Sequence, residues 1–126
     1  MDDRAFKTLI EYLEKVPAIQ SPIGKGADQD GFWWIKFSID INNQLAWQVV
    51  QEIAHVVNYL SVNERLPTVF YPVSPPPYLN GGPDEFLSWV IETKDKTFKP
   101  GTLMKWLEGR LPRPVEDLSQ WQDENE

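Results

Sequence analysis

The sequence predicts one α+β domain in which helices pack on a small, mostly antiparallel sheet. Helical and strand periodicities alternate along the chain, and 126 residues is close to the commonest size of a single domain. Hydrophobic residues make up 41% of the chain, which is enough to form a core. We predict the element order α-β-α-β-β-α, with one domain over residues 1–122 and an acidic C-terminal tail over 123–126.

The first element is predicted to be an amphipathic helix. Apolar residues recur at helical spacing from Phe6 to Val16, and Pro17 ends the pattern. These signals predict a helix from about Asp3 to Val16. Residues 17–31 are rich in proline and glycine and predict turn and loop, with a weak signal for a short strand at 18–23.

A strand and a second helix follow. From Phe32 the apolar period changes to two, which predicts a strand with one buried face. The residues on that face are Trp33, Ile35, Phe37, Ile39 and Ile41. Asn43 is the expected N-cap of a helix that runs to about Leu60.

The next two strands flank a loop rich in proline and glycine. A strand is predicted at Thr68–Val73, and Pro72 favours an edge position because proline has no N–H to donate to a neighbouring strand. Residues 74–83 predict a long, stiff loop. A third strand is predicted at Glu85–Thr93.

Two helices close the predicted domain. Pro100 suits the first turn of a third helix, and Pro114 suits the start of a short last helix that ends near Trp121. The inward side chains of the third helix are predicted to be Leu103, Trp106, Leu107 and Leu111.

The residue inventory disfavours catalysis and metal binding. The chain has no cysteine, so it has neither a disulfide framework nor a thiolate metal site. The only histidine, His55, lies on the polar face of the second helix, and with Glu52 it makes too few ligands for a metal. The sequence Asp28-Gln29-Asp30-Gly31 begins like a calcium loop but lacks the terminal glutamate, so it predicts a tight acidic turn. We expect no cofactor, no metal and no enzymatic activity.

Charge is unevenly distributed along this acidic chain. The formal net charge is −7, residues 26–92 carry eight acids and two bases, and residues 93–114 carry six bases and two acids. A nucleic-acid-binding protein needs a basic stripe, and only this second, short stretch could supply one. We therefore expect no nucleic acid as partner.

No apolar run approaches the roughly 20 residues that cross a bilayer, and the start of the chain lacks signal-peptide features. These patterns predict a cytoplasmic protein that does not bind membranes.

The acidic middle of the chain and its aromatic residues predict a protein-binding surface. Carboxylates would steer a basic partner, and the rigid side chains of Trp34 and Tyr78 would anchor it. Pro75-Pro76-Pro77-Tyr78 matches a Pro-Pro-x-Tyr ligand pattern, and it also suits a rigid connection. Trp34 could be exposed or lie under a helix. The predicted partner-binding residues are Asp28, Asp30, Trp34, Asp40, Tyr78, Asp84, Glu85 and Glu92.

The chain resembles the small cytoplasmic immunity proteins encoded beside bacterial polymorphic and contact-dependent growth-inhibition toxins. The resemblance is one of type: a short α+β chain that is acidic, rich in aromatic residues and free of cysteine, with a distinctive stretch over residues 66–78 followed by Asn80-Gly81-Gly82-Pro83. It implies a stoichiometric inhibitor that binds a cognate toxin domain, often a basic nuclease, and blocks its active site or an exosite.

Two other hypotheses remain open at the level of sequence. One is a self-associating or scaffold domain that uses the proline-rich loop or a sheet edge as its interface. The other is a small hydrolase that uses a carboxylate pair, either the adjacent Asp84 and Glu85 or Asp40 with Glu92 on a neighbouring strand.

Overall fold

The computed structural model describes residues 4–58, 66–73 and 87–121. Within these ranges the chain forms three α-helices, four strands and one short 3-10 helix. The elements are α1 (Arg4–Leu13), β1 (Ile19–Ala27), β2 (Trp33–Ile39), α2 (Ala46–Asn58), β3 (Thr68–Val73), β4 (Leu87–Thr93), α3 (Pro100–Arg110) and the 3-10 helix (Leu118–Gln120).

The strands form one sheet in the order β1-β2-β4-β3, and each neighbouring pair is antiparallel. This arrangement confirms the predicted α+β class. The observed order of elements is α-β-β-α-β-β-α, one strand more than predicted. No helix in the described ranges is long and apolar enough to cross a membrane.

The additional strand is β1, which replaces most of the predicted loop. Pro22, Gly24 and Gly26 lower the local preference for a strand. At the edge of a sheet a proline can be accommodated where its missing N–H faces away from the neighbour. The pairing with β2 shifts register between Gln20 and Gly24, so the irregular part of β1 is taken up without breaking the hairpin.

The core lies on one face of the sheet. Trp33, Ile35, Phe37 and Ile39 of β2 are buried, as the period of two predicts. The Trp33 ring meets Phe6 of α1 edge-on at 6.0 Å, and its indole N–H donates to the Phe98 carbonyl at 2.7 Å. Helices α2 and α3 add side chains to the same core: Ala46, Val49, Ile53, Val56, Val57, Leu103 and Leu107.

Helix boundaries follow the predicted signals in part. Helix α3 begins at Pro100 as predicted. Helix α2 begins later than predicted, because Asn43 forms a turn in which its side-chain Oδ1 accepts from the Leu45 N–H at 2.8 Å.

Trp106 of α3, predicted to point inward, is only half-buried, and the Arg110 guanidinium lies 5.5 Å from its ring centre. Between Pro114 and Trp121 the predicted last helix is a short 3-10 helix, and Trp121 at its end lies in the core.

The outer edge of β3 is closed by helix α2. The Phe70 N–H donates to Asn58 Oδ1 at 3.0 Å, and Asn58 Nδ2 donates to the Phe70 carbonyl at 3.4 Å. The Asn58 amide therefore takes the place of a neighbouring strand. Pro72, two residues further along, has no N–H to offer, and β3 lies at the edge as its proline predicted. Together these features protect the edge from pairing with another chain.

Replacing Asn58 with alanine should open this edge. We expect Asn58→Ala to lower the free energy of unfolding by about 1–3 kcal/mol, because two backbone groups of Phe70 lose their partner. Denaturant unfolding measures this loss. Gln51→Ala, at an exposed position of the same helix, is the control and should change stability by less than about 0.5 kcal/mol. Equal stability of the two variants would show that the Asn58 contacts contribute nothing.

Candidate functional site

The second face of the sheet is lined by side chains outside the hydrophobic core, and we call it the open face. Register places the following residues on it: Gly24, Gly26, Trp34, Lys36, Val69, Tyr71, Ser88, Val90 and Glu92. Val90 and Ser88 are buried, whereas Trp34 and Tyr71 are each 37% exposed. Exposed aromatic surface therefore flanks Glu92.

Trp34 is held in place by the glycines of β1. A Cβ atom added to Gly26 would lie 2.6 Å from Cε2 and 2.8 Å from Nε1 of the indole, closer than non-bonded atoms can approach. One added to Gly24 would be 3.7 Å from the ring. The ring therefore packs directly on the backbone of β1. The structure resolves the two alternatives for Trp34 in favour of exposure.

Glu92 lies directly opposite Trp34 in the pairing of β2 with β4. On its other side, Glu92 is hydrogen-bonded to the Tyr71 hydroxyl, and this bond raises the pKa of Tyr71 above its ordinary value. Desolvation and the negative charge of Glu92 act in the same direction. The carboxylate is thereby oriented between two aromatic side chains.

The β1–β2 hairpin turn lies next to Trp34 and Glu92. Oδ1 of Asp28 accepts from the N–H groups of Asp30 at 2.9 Å and Phe32 at 3.0 Å. Gly31 has a φ of +95°, which favours glycine. The predicted tight acidic turn is confirmed, and Asp28 has a structural role in it. Phe32, at the end of the turn, is 37% exposed.

A groove of about 540 Å³ is formed by this turn, the start of β2 and the end of β4. Its lining brings together three of the predicted binding residues: Asp28, Trp34 and Glu92. We call it the Trp34 groove, and it is lined by Ala27, Asp28, Phe32, Trp33, Trp34, Glu92, Thr93 and Lys94. The carboxylates of Asp28 and Glu92 and the ammonium group of Lys94 therefore lie beside aromatic side chains.

Sequence reasoning missed three residues of this surface. The period of two places Phe32 on the same strand face as Trp34, and Lys94 shares the parity of Glu92, but neither was predicted as a binding residue. Tyr71 alternates with the buried Phe70 in the same way. Their proximity to one another depends on strand order, which the sequence does not contain.

The remaining predicted residues do not line the Trp34 groove. Asp30 is exposed in the hairpin turn, and Asp40 Oδ1 accepts from the Asn42 N–H at 3.0 Å in the turn after β2. Since Trp34 pairs with Glu92 and Ile39 with Leu87, Asp40 lies at the opposite end of β2, about 20 Å from Glu92 at the usual rise of a strand. The carboxylate pair of Asp40 and Glu92, considered for the hydrolase hypothesis, is therefore not formed. Tyr78, Asp84 and Glu85 lie outside the described residues.

A second groove, also of about 540 Å³, lies where α1 and α3 meet the C-terminal segment. The Tyr12 hydroxyl at its base donates to the Leu107 carbonyl at 3.4 Å. Burial raises the pKa of Tyr12 to about 12, and the negative charges of Glu108 and Glu116 add to the increase. The other residues in the lining are Lys15, Lys105, Gly109, Arg113, Pro114 and Val115. Three bases and two acids therefore line this groove.

The described ranges contain few side chains that could bind a metal ion together. No three side chains of His, Cys, Asp or Glu type come together there. His55 is exposed on α2, as predicted.

Comparison of the chain with protein-family models, with curated proteins and with solved structures finds no match.

Substituting Gly26 tests how Trp34 is held. We expect Gly26→Val to displace the ring, raise its exposure and lower the free energy of unfolding by about 1–3 kcal/mol, because the new side chain overlaps the indole. Tryptophan fluorescence and denaturant unfolding measure the two effects. Gly109→Ala is the control, since nothing lies within 4 Å of that position, and alanine there should stabilise α3 by up to about 1 kcal/mol. Unchanged stability in Gly26→Val would contradict the close packing of Trp34 on β1.

Tyr12 predicts a loss of stability in alkaline solution. Its pKa in the folded protein is about 12, above the ordinary value of 10.0, so folding favours the protonated phenol. This contribution is fully present below about pH 10 and is lost as the pH rises through about 12. We expect the free energy of unfolding to fall across this range, and to fall less in Tyr12→Phe. Equal alkaline losses in both proteins would contradict the burial of a protonated phenol.

Proposed function

We propose that the protein is a stoichiometric inhibitor that binds a basic protein partner, a toxin domain, on the open face of its sheet. The observation that carries this proposal is the row of exposed Trp34 and Tyr71 side chains flanking the Glu92 carboxylate. Phe32 and Asp28 extend this surface into the Trp34 groove.

The aromatic side chains are suited to anchoring a partner. Trp34 is fixed against Gly26, and Tyr71 is hydrogen-bonded to Glu92, so both lose little freedom when a partner docks. Tryptophan and tyrosine are among the residues that contribute most to binding energy at protein interfaces. A specific interface of about 800 Å² per partner can be accommodated on a domain of this size.

Electrostatics favour a basic partner. The net charge of −7 would accelerate the encounter with a positively charged protein. The carboxylates of Asp28 and Glu92 are next to the aromatic side chains rather than remote from them. Their position allows the same surface both to attract and to orient the partner.

The resemblance to immunity proteins supplies the class of partner. An inhibitor of that kind needs a rigid, complementary surface and no chemistry of its own. The scaffold alternative loses one of the two sheet edges, because Asn58 and Pro72 close the β3 edge against another strand. The hydrolase alternative loses the pair formed by Asp40 and Glu92, which lie at opposite ends of their strands.

Titration calorimetry with the toxin domain encoded by the neighbouring gene tests the proposal. We expect tight one-to-one binding and protection of cells that express the toxin. Trp34→Ala and Tyr71→Ala should each weaken binding by about 30-fold, the loss of a residue worth about 2 kcal/mol at an interface.

Trp47→Ala is the matched control, because Trp47 is 57% exposed on α2 and outside the open face. It should bind as the unchanged protein does. No binding of the toxin domain together with no protection of the cells would defeat the proposal, and so would a loss caused by Trp47→Ala alone.

A further inference from the structure

The indole of Trp34 packs on β1 and is partly exposed. Its inner side packs on the backbone of Gly26, and the side chain is still 37% exposed. The exposed part of the ring is therefore available to a flat group from a partner. A planar guanidinium stacks on an aromatic face in this way, whereas an ammonium group binds there only as a point charge.

Glu92 places a carboxylate beside the Trp34 indole. It is the cross-strand neighbour of Trp34, and the Cβ atoms of such neighbours are about 5 Å apart. The Tyr71 hydroxyl occupies one acceptor position of the carboxylate. A carboxylate has about four such positions, so capacity remains for the N–H groups of a guanidinium.

The other charges of the groove favour a single cation. Asp28 adds a second carboxylate to the lining, and Lys94 adds one positive charge. Phe32 provides a second aromatic wall. The chain already contains an arginine–tryptophan contact of the required kind, in which the guanidinium of Arg110 lies 5.5 Å from the ring centre of Trp106.

We propose that the Trp34 groove receives one arginine side chain of the protein partner, with the guanidinium stacked on Trp34 and hydrogen-bonded to Glu92. This inference rests on the proposed function and names the group on the partner that the open face recognises. Arginine is favoured over lysine because both contacts depend on a planar donor group.

Aromatic platforms on antiparallel sheets also stack the bases of single-stranded nucleic acids. Here the carboxylates of Glu92 and Asp28 border the platform, and the protein carries a net charge of −7. Phosphate groups would be repelled by that surface. The geometry therefore favours arginine, and a nucleic acid becomes an outcome of the test.

Three short peptides of equal length and sequence, with arginine, lysine or citrulline at the central position, are the probes. Citrulline keeps the shape of arginine and loses its charge. We expect the arginine peptide to shift the indole N–H resonance of Trp34 and leave that of Trp47 unchanged. It should bind at least about fivefold more tightly than the lysine peptide, and the citrulline peptide should not bind.

Two variants test the roles of the charged residues. Glu92→Gln should weaken the arginine peptide at least about tenfold, because a charge-assisted hydrogen bond becomes a neutral one, while Tyr71 keeps an acceptor. Lys94→Gln should strengthen binding about two- to fivefold, because it removes the competing cation. Circular dichroism identifies any variant that fails to fold, and Lys94→Gln provides an independent test in that event.

Equal binding of the citrulline peptide would overturn the inference, as would an unaltered affinity in both variants or a shift of Trp34 caused by a single-stranded oligonucleotide. Failure of the inference is distinguishable from failure of the proposed function. If the toxin domain binds and Trp34→Ala weakens it while the arginine peptide does not bind, the inference alone fails. If the arginine peptide binds at Trp34 and the toxin domain does not bind, the inhibitor proposal alone fails.

Discussion

The packing of Trp34 on the backbone of β1 is the contact on which the open face depends. Glycines weaken a strand because they have no side chain to bury. At Gly24 and Gly26 this absence provides the space in which the indole lies, and the ring in turn covers the backbone of the edge strand. The same contact therefore contributes to the stability of the β1–β2 hairpin and fixes the aromatic surface. A side chain at position 26 would affect both.

Two consecutive tryptophans of β2 lie on opposite faces of the sheet and have different roles. Trp33 points into the core, where it meets Phe6 and donates to the carbonyl of Phe98. Trp34 points to the other face and is partly exposed beside Glu92. Within the described residues, the helices contribute buried side chains to the first face, and the second face carries the partly exposed Trp34 and Tyr71. The single-sided core is thus the physical basis of the proposed binding surface.

Local sequence patterns predicted the elements that do not depend on pairing with a neighbouring strand. The period of two in β2 predicted its buried face, and Pro72 predicted an edge strand. Strand β1 was predicted only as a weak signal at 18–23, because Pro22 and two glycines oppose a strand locally, and it exists through pairing with β2. Of the candidate site, Asp28, Trp34 and Glu92 were predicted as binding residues, whereas Phe32, Tyr71 and Lys94 were not. Asp40 was grouped with Glu92 because register across β2 and β4, which separates them, is a tertiary property.

Hydroxyl-radical footprinting with and without the proposed toxin-domain partner tests most directly whether the open face binds it. The chain offers an internal comparison, because Trp34 and Trp47 are both exposed but lie on different elements. Binding on the open face predicts that Trp34 and Tyr71 lose reactivity in the complex and that Trp47 retains it. Protection of Trp47 with full reactivity of Trp34 would contradict the proposed surface.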